Sequence, residues 1–87
     1  MSGEPLPLFP CDFPIKIFGR NAPGFRASVL SIVRSHCRTL SEEDVRERAS
    51  RGGRYLSLTV TVRMRDRAHA DAIYRALTAS DSVLMVL

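Results

Sequence analysis

The side chains of this sequence that could do chemistry are two histidines, two cysteines and one short acidic run. His36 and His69 each fall on the apolar stripe of a helical pattern, and neither has a Cys, Asp or Glu four residues on to complete a metal pair. Cys37 follows His36 directly, but neighbours on a helix point about 100° apart and do not share a tetrahedral site. No metal ligand set and no cofactor are expected. A nucleophile needs a base and an orienting acid brought to it by loops. Cys11 precedes Asp12, and Cys37 falls towards a helix C-terminus, both poor settings for a thiolate. Glu42, Glu43 and Asp44 read as a solvated run rather than an acid–base pair. No phosphate-binding G-x-x-x-x-G-K-[ST] or G-x-G-x-x-G pattern occurs, and Arg51-Gly52-Gly53-Arg54 reads as a hairpin turn before an anion cradle. No catalytic residue is assigned, and no enzyme is expected.

The chain that must position these groups is short. Its 87 residues make one small domain, too small for a dinucleotide-binding fold with a substrate domain or for a (β/α)₈ barrel. A hydrophobic share of 45% against 25% charged residues is ordinary for a globular fold and argues against disorder. The formal net charge is +4, and Lys16 is the one base that is not arginine. Such a balance favours an anionic partner, although GC-rich coding produces the same arginine skew at neutral surface positions. Two unpatterned cysteines without a secretory segment point to a reduced, cytoplasmic chain. MSGEPLPLFP has no basic n-region, and no apolar run approaches the roughly 18 residues that cross a bilayer.

Residues 1–12, with Pro5, Pro7 and Pro10, read as an extended arm, and a single domain is expected over 13–87. Phe13 to Phe18 alternates as a strand, with Ile15 and Ile17 on one face, Lys16 and Phe18 on the other, and Gly19 at its end. Asn21-Ala22-Pro23-Gly24 predicts a helix start with Asn21 as the cap. Phe25, Val29, Ile32, Val33 and His36 then form one helical face. Residues 42–50 are expected as an edge strand, because a Gly-Gly turn and the strongest strand follow it. From Tyr55 to Arg65 the apolar residues Leu56, Leu58, Val60, Val62 and Met64 alternate strictly with Tyr55, Ser57, Thr59, Thr61 and Arg63. Asp66 is the expected cap of a second helix to Thr78, with His69, Ala72, Ile73, Ala76 and Leu77 inward. Residues 82–87 close the chain as a strand apolar on both faces.

The order β-α-β-β-α-β with right-handed crossovers predicts an α+β ferredoxin-like sandwich. It has a four-stranded antiparallel sheet of order 4-1-3-2, two helices on one face and the other face open.

Three segments carry a family resemblance: Phe13-Pro14-Ile15-Lys16-Ile17-Phe18-Gly19, Gly53-Arg54-Tyr55-Leu56-Ser57-Leu58-Thr59-Val60 and Val83-Leu84-Met85-Val86-Leu87. They resemble the YbeD-like family of small uncharacterised bacterial cytoplasmic proteins over nearly the whole chain from Phe9. The resemblance implies a βαββαβ fold similar to the regulatory ACT domains and no assigned enzymatic activity. The loop Asn21-Ala22-Pro23-Gly24-Phe25 is similar to the Asp-x-Pro-Gly-x turn at which many ACT domains bind a small effector, with Asn21 where the acid often stands.

The reading is therefore a non-enzymatic regulatory or adaptor module. An effector is expected at Gly19, Arg20, Asn21 and Gly24, whose amides lie at a helix N-terminus suited to a carboxylate or phosphate. A partner protein or a second copy is expected at the sheet face or last strand, through Phe18, Tyr55, Leu84 and Val86. Leu84 and Val86 are expected to face away from the helices, where arm residues 6–9 could equally cap them. The alternative is nucleic acid on the basic sheet face, with Tyr55 and Phe18 as stacking platforms and Lys16, Arg46, Arg48 and Arg63 on phosphates. It ranks behind a protein or effector because one aromatic stands on the central strand where RNA-binding sheets carry two.

Overall fold

The computed structural model describes residues 8–87. Its elements are β1 (Cys11–Arg20), α1 (Phe25–His36), a 3₁₀ turn (Glu42–Asp44), β2 (Val45–Ala49), β3 (Tyr55–Met64), α2 (Arg67–Thr78) and β4 (Val83–Val86). The strands form one antiparallel sheet in the order β2-β3-β1-β4, the expected order read from the opposite edge. The ferredoxin-like βαββαβ architecture is as the hydrophobic pattern requires.

The strict alternation of β3 decides which face is buried. Leu58, Val60 and Val62 are fully buried, and Ile15 and Ile17 stand beside them from β1. Val29 and Val33 of α1 and Ile73 and Leu77 of α2 close over this face. Each such side chain contributes about 1.5–3 kcal/mol by leaving water. β1 and β3 pair without interruption from Cys11↔Met64 to Arg20↔Tyr55 and form the spine of the sheet. The β2–β3 hairpin closes through Gly52 and Gly53, both at positive φ as its tight turn demands.

Several local expectations are corrected. Asn21 does not cap α1. Gly24 is the N-cap residue, at φ 87°, and the helix begins at Phe25. Asn21 is instead bonded to the hairpin turn: its amide donates to the Arg54 carbonyl at 2.8 Å and its Nδ2 to the Gly53 carbonyl at 2.9 Å. Gly19 does not end β1, which runs on to Arg20. It is glycine for close approach, since a Cβ there would run into the Phe25 ring. Leu30 joins the buried stripe of α1, while Ile32 is only half-buried. Residues 42–44 form the 3₁₀ turn rather than strand, because the Asp44 carboxylate accepts from the Ser41 amide and hydroxyl at 2.9 and 3.2 Å.

The expected arm loses two residues to the sheet, as Cys11 and Asp12 already pair with Met64 and Arg63. Leu6 lies outside the described residues. Phe9 packs on the helix side, with Phe13, Met64 and Tyr74, and not over the open sheet face. The acidic run is ordered by cations. Arg26 donates to Glu42 at 2.7 Å and to Glu47 at 3.0 Å, and Arg34 donates to Glu42 at 3.0 Å, tying α1 to β2.

Candidate functional site

Register fixes what the open sheet face presents. In one row across the strands Arg46 stands opposite Thr59, Thr59 opposite Lys16, and Lys16 exchanges backbone hydrogen bonds with Leu87 at 3.1 and 2.8 Å. In the next row Arg48 pairs with Ser57, Ser57 with Phe18, and Phe18 with Met85. The face is graded: Arg46 and Arg48 lie at the β2 edge, Ser57 and Thr59 over β3, Lys16 and Phe18 over β1, and apolar Met85 and Leu87 at the β4 edge. Met85 and Leu87 are 50% and 61% exposed. Tyr55, opposite Arg20, completes a shallow concavity of about 200 Å³ with Phe18, Arg48 and Ser57. The Asp12 carboxylate lies 3.5 Å from Arg63 at the far end.

Of the four expected partner residues, Phe18 and Tyr55 share this face. Val86 does not. It stands opposite the fully buried Ile17, so its side chain turns to the helices and packs against the core. The pairing shifts between Phe18 and Gly19, leaving Leu84 as the bulged residue of β4. Leu84 instead lines a cleft of about 340 Å³ with Pro23, Phe25, Ser28 and Asp81. Sequence reasoning missed Met85 and Leu87. Their phase is set by the pairing of Phe18 with Met85, and a run apolar at every position hides it.

The expected effector loop is divided in the same way. Gly19 is buried against Phe25 and Asn21 is committed to the β2–β3 turn, while Arg20 and Gly24 line the cleft beside Leu84. α1 has no side-chain cap and no acidic residue in its first turn.

His69 is a packing histidine. The residue is 6% exposed, its Nδ1 accepts from the Arg65 amide at 3.0 Å, and its Nε2 lies 2.7 Å from the His36 carbonyl. With Nδ1 accepting, the ring proton sits on Nε2 and is donated to that carbonyl. Among the described residues no three His, Cys, Asp or Glu side chains gather as metal donors, and both cysteines are free thiols. No helix among these residues is long and apolar enough to cross a membrane.

These features define a small ferredoxin-like α+β protein with an open, cationic and apolar sheet face. The chain belongs to the family described as "Protein of unknown function (DUF493)", whose model matches residues 4–87. It is similar to a UPF0250 protein of Paraburkholderia phymatum, with 46% identity over 84 residues that cover 97% of this chain and 94% of the relative. It is likewise similar to UPF0250 protein NE1487 of Nitrosomonas europaea, at 44% identity with both chains fully covered. The YbeD-like resemblance holds, and the family is uncharacterised. The solution structure of protein HP0495 from H. pylori shares the fold, with a TM-score of 0.74 at 12% identity over 99% of this chain and 90% of that one.

Proposed function

We propose that this chain is a non-enzymatic cytoplasmic adaptor that docks an acidic partner protein on its open sheet face. The observation that supports this reading is the graded face, on which Lys16, Arg46 and Arg48 flank the apolar group Phe18, Met85 and Leu87. None of these three bases has a carboxylate within ion-pair distance among the described residues. Apolar anchors inside a charged rim are the usual anatomy of a protein interface. A second copy would bring like charges against these bases, so a different, acidic surface fits better. The β2 edge, with Arg46, Glu47 and Arg48, is guarded against strand pairing, whereas β4 has no charged side chain from Val83 to Val86. Pairing at that edge is the route by which a second copy would bind.

Affinity capture from an extract of a bacterium that makes a close relative tests the reading. A protein retained by the natural chain should be lost with R46E/R48E and with F18A, and its isolated complex should weaken as salt rises. Retention unchanged in both variants would refute the proposal. A second reading, single-stranded nucleic acid, draws on the concavity where Phe18 and Tyr55 meet Arg48. It requires oligonucleotide binding that falls steeply with salt and weakens in Y55A.

A further inference from the structure

A cleft of about 540 Å³ opens between the last turn of α1 and the end of β3. His69 and Cys37 are its buried residues, and Arg38, Arg63 and Arg65 stand exposed around it. We propose that this cleft is an oxyanion site that takes the phosphate group of a small phosphorylated metabolite. The ligands would be the guanidinium groups of Arg38 and Arg65, helped by the hydroxyl of Thr39, with Arg63 at the rim beside Asp12. Of these residues only Arg63 also borders the open sheet face, so the site does not rest on the sheet-face reading.

Three arginines are among the residues that line one concavity, and no Asp or Glu is. Arg38 and Arg65 have no acid within ion-pair distance among the described residues, and Arg63 has only the 3.5 Å contact to exposed Asp12. Asp66, next in sequence to Arg65, is turned to the His69 amide at 2.8 Å as the cap of α2. Elsewhere the fold spends acids on arginines, as Glu42 and Glu47 on Arg26 and Arg34 show. A bound dianion would relieve the mutual repulsion that the cleft leaves standing, and arginine forks match phosphate oxygens two at a time.

The C-terminal end of a helix ordinarily repels anions through its free carbonyl groups. Here the Val33 carbonyl takes the Cys37 amide at 2.8 Å, the His36 carbonyl takes His69 Nε2 at 2.7 Å, and the Cys37 carbonyl takes the Leu40 amide at 3.3 Å. Two of the last four carbonyls of the helix are thereby occupied. His69 is held at both ring nitrogens, so the floor is fixed before any ligand arrives. The volume lies within the roughly 300–1,000 Å³ of small-molecule sites, large enough for a phosphate with an organic group attached.

The test uses the full chain, with amide and arginine side-chain spectra recorded against inorganic phosphate and pyrophosphate at constant ionic strength. The expected result is saturable shifts at Cys37, Arg38, Thr39 and Arg65, with pyrophosphate the tighter of the two. R38A and R65A, both at exposed positions, should each weaken binding about tenfold, as for loss of a charge-assisted pair. R38K should recover only part of it, and R46A on the sheet face should leave it unchanged. Shifts that rise linearly without saturation, or an R46A loss equal to that of R65A, would overturn the proposal. So would an oligonucleotide that displaces pyrophosphate while shifting Lys16 and Arg46, because the anion would then be a polymer tracking the sheet.

Discussion

His69 Nε2 donates to the His36 carbonyl across 2.7 Å, and this bond joins the first turn of α2 to the last turn of α1. The same ring accepts from the Arg65 amide through Nδ1, so one buried side chain fastens both helices and the end of β3. His69→Ala would leave a carbonyl and an amide without partners in a half-buried site. The expected loss is about 2–4 kcal/mol, read as a lower denaturant midpoint with an unchanged slope. A midpoint equal to that of the natural chain would show that water replaces the ring at no cost.

Gly19 and Phe25 form a second such pair. Gly19→Ala would force the buried Phe25 ring aside and should cost about 1–3 kcal/mol, as overpacking does. Phe25→Leu in the same chain should return part of that loss, because it removes Cε1 and Cζ, the two atoms nearest the new Cβ. Losses that simply add in the double variant would contradict the contact.

Much of this architecture is legible in the sequence, and the reasons differ by element. β3 is legible because its period of two runs unbroken from Tyr55 to Met64, and α2 because Asp66 is a true cap. β4 is not, because Val83 to Leu87 is apolar at every position and carries no phase. The bulge at Leu84 then sets the phase, turning Met85 rather than Val86 to the open face. Asn21 was legible as a structural residue but not in its role. Its partner, the Gly53 carbonyl, is 32 residues away and brought near only by the β1–β3 ladder. The arginine cleft was hidden for the same reason, since Arg38 and Arg65 are far apart in the chain.

That correction at Asn21 makes its own prediction. Asn21→Ala should reduce amide-exchange protection at the β2–β3 turn and cost about 0.5–1.5 kcal/mol. The helical chemical shifts of Phe25 to Ser28 should stay as they are, since Gly24 and not Asn21 starts the helix. Fraying of the first turn of α1 would restore Asn21 as the cap.

Stability should also carry an acid-side signature from Glu42. Hydrogen bonds from Arg26 and Arg34 hold its carboxyl below the ordinary value of 4.5. The ion pairs therefore contribute fully above that value and are lost as pH falls through the lower folded one. E42Q should melt slightly lower than the natural chain at neutral pH in low salt, and the difference should vanish in acid and in high salt. A difference that persists in acid would assign the effect to packing instead.

The most direct test of the sheet-face account is an amide spectrum of the isotope-labelled chain, recorded in buffer and then in unlabelled bacterial extract. The account predicts broadening confined to Lys16, Phe18, Tyr55, Ser57, Thr59 and Met85, reversed by added salt and absent in R46E/R48E. Broadening centred on α1 and α2, or a spectrum the extract leaves unchanged, would contradict it.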